Sequence, residues 1–206
     1  MARTGCGGSS CQCVIIPGPG MVVEGTGSLS NPYVLSVADQ VDPPENPLSV
    51  AVVSLLVDTP QTIPADGAWH IVRFPYIGES SDVHGMHEPM QPDGYQVVDW
   101  ATNDRSGLVW PSVAGWGILT ANLHWEEASG SGGGYTELRD QFIRTPFTAP
   151  DTTATDHRAP TPGGNFFTKQ HSIFVNPSTP LALRVAHNDS VARQLTLAEF
   201  KLAIFQ

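Results

Sequence analysis

The sequence predicts an all-β fold, a jelly-roll sandwich of about eight to ten antiparallel strands behind a small N-terminal β-hairpin. Three observations carry this. Apolar residues recur with a period of two through most of the chain. Gly and Pro, 20 and 18 of 206 residues, leave little room for long helices and punctuate the chain with turns. The apolar runs are not separated by the helical stretches that parallel strands need.

In chain order, Met21-Val22-Val23 and Tyr33 to Val37 flank a turn at Glu24-Gly25-Thr26-Gly27 and read as the hairpin. Gly20 to Gly27 lacks both the Lys-Ser/Thr of a phosphate loop and a following helix pattern, which sets nucleotide binding aside. Asp42-Pro43-Pro44-Glu45-Asn46-Pro47 places three prolines in six residues and reads as a stiff linker. The expected domains are therefore residues 1–48, a Cys- and Gly-rich module with its linker, and residues 49–206, a jelly-roll domain.

Within the jelly-roll domain, Ser49 to Val57 reads as a buried strand and Ala68 to Phe74 as a half-buried one. From Trp116 to Trp125, Leu119, Ala121, Leu123 and Trp125 share one face while Thr120, Asn122 and His124 share the other. That is an antiparallel strand with one wet side. Phe166 to Val175, Leu181 to His187 and Leu195 to Phe205 continue the series. In Thr136 to Arg144 the Leu138 and Phe142 pair fits a strand or a short helix equally. Ile77 to Gly94 and Thr145 to Asn165 are expected as long loops that carry binding chemistry.

Ten Lys+Arg against 20 Asp+Glu give a formal charge of -10, which argues against a nucleic-acid partner, since such affinity rests on cationic side chains displacing counterions. The longest apolar run, Ala51 to Val57, is far below the ~20 residues of a membrane span, so no membrane insertion is expected. The opening Met1-Ala2-Arg3-Thr4-Gly5 leads into glycine and cysteine, so no signal peptide is expected. All three cysteines, Cys6, Cys11 and Cys13, precede the jelly-roll domain. Inter-chain disulfides, free thiols and a structural zinc remain open readings for them, the zinc disfavoured by the missing C-x2-C spacing and by the lack of a nearby His.

No catalytic, metal or cofactor residue set emerges. His84-Gly85-Met86-His87-Glu88 is the nearest thing to a metal cluster, but Gly85, Pro89 and Pro92 favour a solvated loop. Glu126 and Glu127 are adjacent and point to opposite faces of a strand, and Asp140, Asp151, Asp156 and His157 form no recognisable acid-base set. With no Gly-x-Ser-x-Gly elbow either, the chain is read as a non-enzyme. Of Trp69, Trp100, Trp110, Trp116 and Trp125, most are expected in the core, and Trp110 beside Pro111 is the first candidate for stacking on a sugar ring. Trp110, His84 and His87 are the candidate ligand contacts.

Two resemblances extend this reading. Leu108 to Ile118, with Pro111, Gly115 and Trp116, resembles the apolar-x-Pro-x-x-Gly-x-Tyr lead into a central strand of the complement globular-head and tumour-necrosis-factor jelly-roll superfamily. A strand with an arginine, Arg139 or Arg144, and the late Pro180 to Asn188 and Leu202 to Phe205 segments are similar to that superfamily too. Thr62 to Trp69 is a second copy of the lead-in, which leaves the register open, and Thr179-Pro180 stands where the superfamily often has Gly-Asp. The resemblance implies a homotrimer.

Cys11-Gln12-Cys13-Val14-Ile15, Gly20 to Ser28 and Asn31 to Ser36 resemble a module at the start of minor tail and fibre proteins of phages that infect actinobacteria. That resemblance implies a virion protein whose first module joins other tail or capsid proteins and whose head serves display, adhesion or contact with a host cell-wall glycan. Rival readings are a carbohydrate-binding module, a capsid decoration or head fibre, and a polysaccharide hydrolase.

Overall fold

The computed structural model describes residues 21–28, 30–37, 49–78, 81–127, 137–149, 151–161 and 163–206. The chain forms two compact units, residues 1–47 and 48–206. Cys6, Cys11 and Cys13 and the proline-rich linker lie outside the described residues.

In the first unit β1 (Met21–Glu24) pairs antiparallel with β2 (Val34–Val37), Met21 opposite Val37 and Glu24 opposite Val34. The turn between them needs glycine at Gly25, whose φ is 101° and whose added Cβ would lie 2.1 Å from the Pro32 carbonyl oxygen.

Among its described residues the second unit holds ten strands in two sheets: β3 (Val50–Val57), β4 (Gln61–Ile63), β5 (His70–Ile71), β6 (Leu108–Val109), β7 (Gly115–Trp125), β8 (Leu138–Arg144), β9 (Asp151–Arg158), β10 (Asn165–Val175), β11 (Leu181–His187) and β12 (Arg193–Phe205). One sheet runs β10-β7-β12-β3, with β4 beside the start of β12. The other runs β5-β11-β8-β9, with β6 beside β11. Every pairing is antiparallel and most neighbours are distant in sequence, so the chain crosses repeatedly between the sheets in the manner of a jelly roll.

Alternation sets which side chains meet between the sheets. In β7 each odd-numbered residue from Gly117 to Trp125 is buried. In β12 a bulge between Leu195 and Leu197 shifts the parity by one, so that Leu195 and then Ala198, Phe200, Leu202 and Ile204 all face inward. Phe200 stacks on Phe142 of β8 at 5.7 Å between ring centroids and lies 6.3 Å from Phe74, fastening one sheet to the other.

Leu138–Arg144 is a strand, not a helix, because pairing with β9 on one side and β11 on the other satisfies its backbone. The segment from Thr145 to Asn165, expected as one long loop, contains β9 instead. β9 is an edge strand whose polar residues, Asp151, Asp156, His157 and Arg158 among them, hide the apolar period while guarding the open edge.

The two outer faces differ. Over the β5-β11-β8-β9 sheet, Ile71, Leu108, Trp110, Ile143 and Ala182 make a second small core. The connection between β5 and β6 contributes to this layer, with the Trp110 backbone N–H donating to the Met86 carbonyl at 2.7 Å. Gly107 fits here only without a side chain, since a Cβ would stand 2.2 Å from the Val72 oxygen. The β10-β7-β12-β3 sheet has no comparable layer of described residues on its outer face.

Candidate functional site

That bare face carries a regular array. Phe174 of β10 lies opposite Trp116 of β7, Trp116 opposite Phe205 of β12, and Phe205 opposite Val50 of β3. The four form one row across the sheet, 45%, 64%, 38% and 38% exposed in that order. Trp116 and Phe174 meet edge to face with centroids 5.9 Å apart. The next row, Ser172, Ile118, Ala203 and Val52, is small or apolar.

Beyond it the face turns polar. Gln170, Thr120, Lys201 and Ser54 make one row, and Thr168, Asn122, Glu199 and Leu56 the next. Lys201 Nζ stands 3.1 Å from Glu199 Oε2, and Asn122 Nδ2 donates to the same oxygen at 3.1 Å. Desolvation works against ionisation of Glu199, but these two partners hold its carboxyl below the usual range. At the far end Phe166 meets His124 edge to face at 4.6 Å.

An aromatic row half open to water at one end of the sheet, followed by a mostly polar band, has the composition that contact surfaces show. Its signal in the sequence is parity. Trp116 shares its strand face with Thr120, Asn122 and His124, not with Leu119 and Leu123, so the alternation places it outside the core.

The candidate ligand residues fall in different environments. His84 is exposed. His87 is 2% exposed: its ring stacks on Tyr76 at 4.5 Å, and Nε2 donates to the Ser106 carbonyl at 2.7 Å. Asp82 closes this turn by accepting from the Met86 and His87 backbone N–H groups, both at 2.8 Å. The stretch His84 to Glu88 is thus half core and half surface, where the sequence predicts a solvated loop. Trp110 is 8% exposed and forms part of the wall of a cavity of about 220 Å³ that Leu108, Arg105, Phe147, Thr148 and Ser178 also line.

Among the described residues no group of three or more His, Cys, Asp or Glu converges as a metal site. Of the acids considered as catalytic, Asp140 and Asp156 do come together, yet with cations. Lys169 Nζ is 2.9 Å from Asp140 Oδ1 and also contacts Asp156, while Arg158 Nε is 2.8 Å from Asp140 Oδ2. The Lys169 bond holds the Asp156 carboxyl below its ordinary value against the opposing effect of burial. Two acids neutralised by two bases make a cross-link between sheets, with neither carboxyl left free as a general acid.

Strand order and burial define the class: an antiparallel jelly roll with one sheet face covered and the other without a comparable cover among the described residues. No protein-family model and no curated protein matches the chain. Solved structures do resemble it in fold. They include a tumour-necrosis-factor-type Eiger domain from S. frugiperda, at 12% identity over 77% of this chain and 92% of that one, with a TM-score of 0.49. The globular domain of zebrafish complement 1qA protein matches at 10% identity over 75% and 95%, TM-score 0.46, and murine APRIL at 8% over 76% and 99%, TM-score 0.45.

Proposed function

We propose that the chain is a non-enzymatic display protein whose jelly-roll head assembles as a homotrimer through the outer face of the β10-β7-β12-β3 sheet. The observation that carries this is the row Phe174, Trp116, Phe205 and Val50, four apolar side chains in register across four strands and open to water. Covering such a row removes apolar area worth about 25 cal/mol per Å². The charged band of Lys201 and Glu199 beside it gives register and selectivity more than affinity. Closed cyclic symmetry limits growth, as a trimeric head requires.

In this reading residues 1–48 join the head to other virion proteins of a phage, as part of a tail, fibre or spike that meets the host surface. The support is the Cys-rich, Gly-x-x-Val-x-Gly-Thr-Gly-Ser and Asn-Pro-Tyr pattern of the first module. Sedimentation equilibrium of the full chain beside its Trp116→Glu variant tests the assembly. Three wild-type copies and one variant copy per particle are expected. A variant that remains associated would remove this face from the interface.

A further inference from the structure

Three irregularities converge on the cavity beside Trp110, and the self-associating face accounts for none of them. The Trp110 indole N–H is buried and has no hydrogen-bond partner among the described residues, at a cost of roughly 1–3 kcal/mol. Thr145, in the turn after β8, has φ 47°, the one non-glycine residue with positive φ among those described. Such strain persists where the surroundings impose it, frequently at ligand clamps. Its amide donates to the Pro180 carbonyl at 2.9 Å and its hydroxyl to Ala149, which fixes the turn that presents Phe147. Phe147 itself is half exposed.

The opposite wall is prearranged. Arg105 stacks over the Tyr95 ring at 4.4 Å and lies 5.8 Å from the Phe147 centroid. Its Nε donates to Gln91 Oε1 at 2.7 Å, and its terminal nitrogen contacts the Asp93 carboxylate. The charges at the rim therefore cancel, which disfavours an ionic ligand. What remains is an aromatic face at Phe147, hydroxyls at Thr148 and Ser178, and an apolar inner wall of Leu108 and the indole. At about 220 Å³ the cavity is smaller than the ~300–1,000 Å³ of drug-sized sites and suits a single ring.

We propose that this cavity binds a neutral N-acetylated sugar. The C–H face of the ring stacks on Phe147, sugar hydroxyls pair with Thr148 and Ser178, and the acetamido group enters the cavity. There its methyl meets Leu108 and its carbonyl supplies the acceptor that the Trp110 indole N–H lacks. That N–H is sealed from water in the free protein, so the pair with the ligand requires the Thr145–Thr148 turn to move. The site needs neither a second copy nor the N-terminal module, so its test is separate from that of assembly.

The experiment is isothermal titration of the full chain with N-acetylglucosamine and, separately, with glucose. The expected result is saturable binding of N-acetylglucosamine and binding of glucose weaker by about tenfold or more, the equivalent of one lost hydrogen bond. Phe147→Ala is expected to abolish binding. Trp110→Phe is expected to weaken it about tenfold while leaving the thermal midpoint unchanged or higher, because it deletes an unsatisfied donor. A tryptophan with a packing role alone would instead lose stability and keep the ligand. No binding of N-acetylglucosamine, equal binding of glucose, or wild-type affinity in both variants overturns the proposal.

Discussion

Lys169 of β10 and Asp140 of β8 meet between the two sheets with Nζ 2.9 Å from Oδ1, each side chain 3% exposed. Neither strand pairs with the other, so this contact spans the sandwich itself. Arg158 and Asp156 of the edge strand β9 complete the group.

Removal of one member of a buried pair leaves a charge without compensation, at about 3–5 kcal/mol. Lys169→Met is expected near the lower end, about 3 kcal/mol, because Arg158 still faces Asp140. The double variant Lys169→Met/Asp140→Leu should recover at least half of that loss. Urea unfolding midpoints measure both, and a double variant less stable than Lys169→Met would refute the account of the pair.

The same group sets an acid dependence. Lys169 lowers the folded-state value for Asp156, so the stabilisation is fully present above the unfolded carboxylate value near ~3.9 and is lost as pH falls through the lower folded one. Thermal midpoints should therefore drop below about pH 4, and Asp156→Asn should flatten part of that slope. An unchanged slope in the variant would show that other carboxylates carry the effect.

Gly107 is expected to tolerate no side chain. A Cβ there would stand 2.2 Å from the backbone oxygen of Val72 and 2.4 Å from Ile71 Cγ2, so Gly107→Ala should cost about 1–3 kcal/mol. Gly67 serves as the control for substitution itself: it has a positive φ of 68° but open space around it, so Gly67→Ala adds strain without a clash. Calorimetric midpoints check the pair, and equal losses would contradict the steric argument.

Most strands were legible because their apolar residues alternate: Ser49 to Val57, Trp116 to Trp125 and Leu195 to Phe205 read correctly from parity alone. β9 was hidden because an edge strand keeps polar residues on both faces, and the threonines at 152, 153 and 155 were its one hint. His87 was read as surface because glycine and proline around it signal a loop, whereas the loop folds back as a cover and buries it. Trp110 was singled out from its neighbour Pro111, yet its companions Phe147 and Ser178 are distant in sequence, and only the fold brings them to one cavity.

Exposed apolar residues on the bare sheet should contribute little to the fold of one copy. Trp116 is 64% exposed, so Trp116→Glu is expected to change the unfolding free energy of the dissociated chain by no more than about 0.5 kcal/mol. Unfolding at high dilution measures this, and a loss of several kcal/mol would mean that Trp116 packs within its own protomer well beyond its edge-to-face contact with Phe174.

The measurement closest to the central claim is the native mass of the full-length chain, taken with and without reductant across a range of concentrations. The account predicts a particle of three 22.0 kDa copies that persists in reductant, since the contact is the sheet face and not a cysteine bridge. A monomer at every concentration, or a particle that falls apart when its thiols are reduced, would contradict it.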